Sequence, residues 1–300
     1  MFLIVRQTVC SIGLIPSYML PSPIEVIKAF VSDFSLLIEN SVITLQEAFI
    51  GLFLGVSVGF FAPAFIGDNP LPVTAVAAVI QHNTSGIISR KGEGMDTPKG
   101  LEGKRYATWD LDVEKETIRD VMKADGGNFD LVELIPSTVT DEVSALKSGS
   151  VDAIWVFYAW AGVACQTAGL DTDYFEFADI NPVFDYYTPV IIGNNDWLSE
   201  NPETAKAFIE ALSKGYTFAV ESPKEAADIL MDAAPELKSN SALVYASQEY
   251  LAAEYISDAS KWGEFDKERW SAFYEWLNEN NLLEEKLKPD FGFTNDYLPE

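Results

Sequence analysis

The chain has 300 residues, of which 48% are hydrophobic and 13% aromatic, and its formal charge at pH 7 is -26. That length suits one large or two modest domains, while so acidic a balance excludes nucleic-acid or anionic-membrane recognition through a basic surface. Two cysteines, Cys10 and Cys165, and a single histidine, His82, exclude a disulfide framework and histidine-rich zinc sites.

Met1–Ile15 is apolar apart from Arg6 and Gln7 and stops at Pro16, Pro21 and Pro23. Cys10 lacks the small preceding residue of a processed lipoprotein cysteine, and no small-residue cleavage site follows it. Pro23–Phe34 then opens a short amphipathic helix with proline in its first turn. Residues 48–67 carry no charge, a run long enough to cross a hydrocarbon core, and 42–66 is the candidate transmembrane helix. Gly51, Gly55 and Gly59 would give it a smooth face for helix contact. A helix buried in a soluble fold is the competing reading. Arg6 and Lys28 precede the run and favour a cytoplasmic start.

Ile15-Pro-Ser-Tyr-Met-Leu-Pro-Ser-Pro-Ile-Glu-Val-Ile, followed by Ser41-Val-Ile-Thr-Leu-Gln-Glu-Ala-Phe-Ile-Gly, resembles the start of a permease subunit of nitrate/sulfonate/pyrimidine-type ABC importers, over about 12–62. The resemblance makes 1–67 a permease-like fragment and would put 17–45 outside the cell. It stops short of the loop by which such permeases dock on their ATPase.

From Leu71 short apolar runs alternate with amphipathic stretches, as an α/β sheet requires. Expected strands are 73–80, 104–109, 131–136, 152–157, 174–177 and 188–193. Expected helices are 113–125, stopped by Gly126-Gly127, then 139–148 and 159–168. Beyond 193 the pattern is helical: 201–221 with Asn201 as cap, a second helix from Ser222 with a Ser222/Glu225 capping box, then 240–257 and 266–280. The aromatics from Trp262 to Trp276 read as core. Asp125-Gly-Gly-Asn-Phe-Asp has calcium-like oxygen spacing but lacks the later glutamate of an EF-hand, and reads as a helix stop.

Val76-Ala-Ala-Val-Ile-Gln-His-Asn-Thr-Ser-Gly, Leu101-Glu-Gly-Lys-Arg-Tyr-Ala-Thr-Trp, Asp152-Ala-Ile-Trp-Val-Phe-Tyr-Ala-Trp-Ala-Gly, Asp185-Tyr-Tyr-Thr-Pro-Val and Phe293-Thr-Asn-Asp-Tyr-Leu-Pro resemble the SsuA/THI5-like substrate-binding proteins, over about 60–300. Among these they are most similar to the importer components for thiamine-pyrimidine precursors. The resemblance implies an α/β, two-lobed periplasmic-binding-protein-like (type II) fold, with one lobe at about 91–188 and the other from 68–90 plus 189–300. Family members begin with a strand-helix-strand-helix unit that residues 1–59 do not match, so the first lobe is expected to be incomplete and ligand binding weak. The implied partners are ABC permease and ATPase subunits and a small heteroaromatic ligand, with the binding domain extracytoplasmic and membrane attachment through 42–66.

A planar heteroaromatic needs aromatic faces and a few orienting hydrogen bonds. His82, Asn83, Thr84, Ser85 and Gly86 directly follow an expected strand, where α/β folds bind ligands, although an ordinary polar turn fits them equally. Trp109 ends one strand and Tyr158 and Trp160 follow another, so these three could line one cleft wall or fill a core. Asp185 and Tyr187 precede the return crossing and complete the candidate set, while Trp155 alternates inward. No catalytic residue, metal site or cofactor is expected. The THI5 branch of the family supplies the enzymatic alternative, a pyrimidine synthase using a cysteine-rich motif that is absent around Cys165; a non-functional fusion of the two pieces is the third reading.

Overall fold

The computed structural model describes residues 72–137 and 139–299. The permease-like fragment and the apolar run 42–66 lie outside the described residues. No helix among the described residues is long and apolar enough to cross a membrane.

Residues 72–300 form one compact unit built on two sheets. Strand β1 (Val73–Ala78) pairs antiparallel with β7 (Val190–Asn194). The other sheet has the order β4-β3-β5-β2-β6, from β2 (Ser85–Arg90), β3 (Arg105–Thr108), β4 (Glu133–Pro136), β5 (Ala153–Phe157) and β6 (Thr172–Glu176). Within it β3 runs parallel to β4 and β5, whereas β2 is antiparallel to both of its neighbours. The α/β class therefore agrees with the sequence reading.

Strand β2 departs from it. Ser85 and Gly86 look like turn residues, yet they pair with Phe157 and Val156 on one side, and Gly86 pairs with Glu176 on the other. A Cβ built on Gly86 would meet the Phe175 carbonyl at 2.1 Å, so glycine here admits a neighbouring backbone rather than a bend. Residues 85–90, expected in the flanking lobe, thus belong to the five-stranded sheet, and the chain passes between sheets at 79–84.

Alternation along the strands sends successive side chains to opposite faces. Ile87, Tyr106, Ala153, Trp155 and Phe175 share one core with Ile118, Val121 and Met122 of helix α1 (Asp112–Ala124). Ile88, Ala107, Ile154 and Val156 face the other side, against Leu146 of α2 (Glu142–Ser148) and Cys165 of α3 (Val163–Thr167). Gly126 follows α1 at φ +71°, the left-handed conformation of a helix stop. A short α4 (Phe177–Ile180) leads to the return crossing.

After β7 come α5 (Asn195–Glu200), α6 (Pro202–Glu221), α7 (Pro223–Ala233), α8 (Ser241–Glu254) and α9 (Lys267–Glu279). Asp266 caps α9 by accepting from Arg269 N. The expected caps at Asn201 and Ser222 make no side-chain cap bond. Asn201 instead donates from Nδ2 to Trp197 O, and proline in each first turn leaves one donor fewer to satisfy. Buried Trp262 packs with Val76, Ala77, Leu198 and Ile209 around the two-stranded sheet, while Trp276 enters the core of the other sheet.

Candidate functional site

Pairing register fixes which strand ends share one edge of the five-stranded sheet. Thr108 lies beside Pro136, Ser85 beside Phe157, and Gly86 beside Glu176. The ends of β3, β4, β5 and β6 and the start of β2 therefore open on the same side, where 79–84 and 185–189 cross to the other sheet.

Trp109 leaves β3 at this edge with 45% of its surface exposed. The reason it stands out is a buried carboxylate that sequence reasoning missed: Glu114 accepts from Tyr106 OH at 2.5 Å, Thr108 Oγ1 at 3.1 Å, Trp109 N at 3.1 Å and Leu111 N at 3.3 Å. These bonds pin the β3–α1 turn, and Asp110 takes the left-handed φ of 63° there. The Trp109 ring rests on buried Trp155, which is tilted against Phe177 at 4.3 Å. The only sequence signal for Glu114 was its place in the first turn of a helix.

Phe157 is 43% exposed and Trp160 48% exposed at the neighbouring end of β5. Tyr158 opens a π-helical turn over Tyr158–Gly162, and Gly162 is required because its missing side chain makes room for the Tyr158 ring. That ring packs against Tyr174 at 4.7 Å and Tyr250 at 5.4 Å. Tyr158 is thus half-buried in a tyrosine cluster, whereas Trp109 and Trp160 present open faces. Ser247 Oγ donates to Ala159 O at 2.5 Å and ties α8 to this turn.

The polar residues after β1 are mostly consumed by the crossings. Asn83 is fully buried: its N–H donates to Asp185 Oδ1 at 2.9 Å, its Nδ2 donates to Phe184 O at 2.7 Å, and its Oδ1 accepts from Ser85 N at 3.1 Å. The Thr84 carbonyl accepts from Tyr158 N at 2.9 Å and Tyr174 OH at 2.7 Å. Thr84 Oγ1 is buried without a partner among the described residues. Ser85 and Gly86 are buried in β2. Tyr187 is also buried, its hydroxyl accepting from Asp266 N at 2.7 Å and its ring lying 4.8 Å beneath the Arg269 guanidinium.

His82 lies between two carboxylates, with Nδ1 2.8 Å from Asp185 Oδ2 and Nε2 3.0 Å from Asp258 Oδ1. The structure therefore brings His82, Asn83, Asp185 and Tyr187 together as a clasp between the crossings. Trp109, Tyr158 and Trp160 sit on the sheet edge beside it. Glu176, at the end of β6, is pushed up to about 7 by burial and by the charges of Asp179, Glu254 and Asp185. Cys165 is fully buried, and burial raises its thiol to about 11. It is neither exposed nor activated as a nucleophile.

A family model described as NMT1/THI5 like matches residues 65–226, more than half of the chain. The chain belongs to the NMT1/THI5-like family. Among curated proteins, this family member is similar to a formylaminopyrimidine-binding protein of Halalkalibacterium halodurans, 27% identical over 76% of this chain and 69% of the relative. It is also similar to a putative binding protein of Brucella abortus, 24% identical over 57% of this chain and 53% of the relative.

Solved structures with the same fold include the alkanesulfonate-binding protein SsuA of Xanthomonas axonopodis pv. citri bound to MOPS, at TM-score 0.56, 13% identity, 81% of this chain and 83% of that one. The desulfurization enzyme DSZB matches at TM-score 0.52 and 13% identity, covering 76% of this chain and 78% of that one. The fold is thus one that periplasmic binding proteins share with an enzyme.

Proposed function

We propose that this NMT1/THI5-like chain is the extracytoplasmic binding component of an ABC importer and that its ligand is a small planar heteroaromatic of the aminopyrimidine class. The observation that carries this reading is the row of open aromatic faces, Trp109, Phe157 and Trp160, at strand ends beside the crossing between the two sheets. Aromatic faces that are solvated in the free protein offer a planar ring stacking area that a second aromatic core would already have filled. The similarity to a formylaminopyrimidine-binding protein supports the ligand class. Tyr158 and Thr84 flank the platform and would supply orientation, and His82, Asp185 and Tyr187 would hold the crossings. A permease and an ATPase are the corresponding partners.

The enzymatic reading has one finding in its favour, the fold shared with a desulfurization enzyme. Against it stand the buried Cys165 and a His82 whose two nitrogens are both engaged by carboxylates. A thermal-shift screen of the full chain with aminopyrimidines, riboflavin and alkanesulfonates tests the proposal: stabilisation by the aminopyrimidines alone supports it. Formation of a pyrimidine product on incubation with pyridoxal phosphate and iron would replace it with the enzymatic reading.

A further inference from the structure

We propose that His82 is a proton-operated latch on the crossing between the two sheets, closed as the imidazolium and released at one end when the ring loses a proton. Both ring nitrogens face carboxylate oxygens, Asp185 Oδ2 at 2.8 Å and Asp258 Oδ1 at 3.0 Å. An ionised carboxylate only accepts hydrogen bonds, so both nitrogens must donate, and only the doubly protonated ring can do so. A neutral ring would turn a lone pair toward one of the two carboxylates.

The charges around the ring come from every element packed on it. Asp185 belongs to the return crossing, Asp258 to the loop after α8, Glu254 to the end of α8, Glu176 to the end of β6 and Arg269 to α9. Burial opposes charging of His82, and Arg269 opposes it further, but Asp185 and Asp258 outweigh both and raise the ring above its ordinary 6.5.

The two links are unequal. Asp185 is 19% exposed and is held besides by Asn83 N at 2.9 Å and by the Arg269 guanidinium at 3.7 Å. Asp258 is 69% exposed and has no second ion pair among the described residues. A ring with one N–H therefore keeps Asp185 and releases Asp258. Asp258 follows Ser257, which holds the left-handed φ of 46°, and the same loop borders a crevice of about 320 Å³ with Gln81, Glu264 and Arg269. Release removes the link at the middle of this loop, while its ends stay tied to residues 79–84 by Gln81 N donating to Glu254 O at 2.8 Å and Trp262 Nε1 donating to Val79 O at 3.0 Å, so 255–260 is the segment loosened. The raised ring contributes stability that is complete below 6.5 and disappears as pH rises through its folded value.

His82 is the chain's one histidine, so its ring protons give a single NMR titration curve in the full chain. The midpoint is expected above 6.5 and should fall in Asp258→Asn, a substitution at an exposed position. Amide exchange over 255–260, corrected for intrinsic rates, is expected to be several-fold faster on the basic side of that midpoint, with the step lost in His82→Gln. A midpoint at or below 6.5, a midpoint unmoved by Asp258→Asn, or exchange without a step in the wild-type chain would each overturn the latch. Neither readout uses a ligand, so failure to bind aminopyrimidines would count against the transport reading alone.

Discussion

The Trp109 ring lies 5.8 Å from the Trp155 ring at an interplanar angle of 46°, the first nearly half exposed and the second buried. An exposed indole supported from beneath is a platform rather than a core residue. Trp109→Ala should therefore cost clearly less urea stability than the about 3–5 kcal/mol of a fully buried tryptophan, since nearly half of the residue's surface is already solvated. Affinity for an aminopyrimidine should fall by about 0.5–1.5 kcal/mol beyond the lost area. Parallel urea titration and calorimetry check the two halves, and a large stability loss with unchanged affinity would return Trp109 to the core.

Asn83 should behave in the opposite way. Its side chain bridges the two crossings while fully buried, so Asn83→Ala strands the Phe184 carbonyl and the Ser85 N–H. Each buried group left unpaired costs about 1–3 kcal/mol. Chemical unfolding should show a destabilisation in that range or above, whether or not ligand is present.

Gly86→Ala should be the most damaging small change in this region. Its added methyl would meet the Phe175 carbonyl at 2.1 Å and force β2 away from β6. Overpacking of this kind costs typically about 1–3 kcal/mol and occasionally more. A melting temperature equal to wild type would show that the β2–β6 pairing is not as described.

Glu176 predicts a pH dependence of its own. Its carboxyl, raised from 4.5 to about 7, binds a proton in the folded chain that the unfolded chain has already lost. Stability should therefore decline as pH rises from about 4.5 through about 7, the reverse of a salt-bridged carboxylate. Glu176→Gln should flatten that part of the profile. A slope that survives the substitution would assign the effect to other groups.

Much of the described fold was legible because its signals are local. Six strands and the longer helices follow from alternation and from punctuation by Gly126, Pro202 and Pro223, and the family likeness rests on motifs lying in those same elements. Strand β2 was hidden because Ser85 and Gly86 have turn chemistry, and only the Phe175 backbone passing beside Gly86 explains why they are extended. Of the candidate site, the exposure of Trp109 and Trp160 follows from their places just past strand ends. Asn83 and Tyr187 are buried between the crossings instead, because their partners Phe184 and Asp266 are 101 and 79 residues away along the chain. Asp258 and Arg269 went unnoticed for the same reason, since nothing in a lone charged residue marks the histidine it will face.

Titration calorimetry of the full chain with a formylaminopyrimidine tests the central claim most directly. With one of the two sheets limited to two strands among the described residues, the expected dissociation constant is in the micromolar range, about -8 kcal/mol, weakened by Trp109→Ala and unaffected by Cys165→Ala. No binding heat with this ligand or any other aminopyrimidine, at concentrations where Trp109 is accessible to an aromatic quencher, would contradict it.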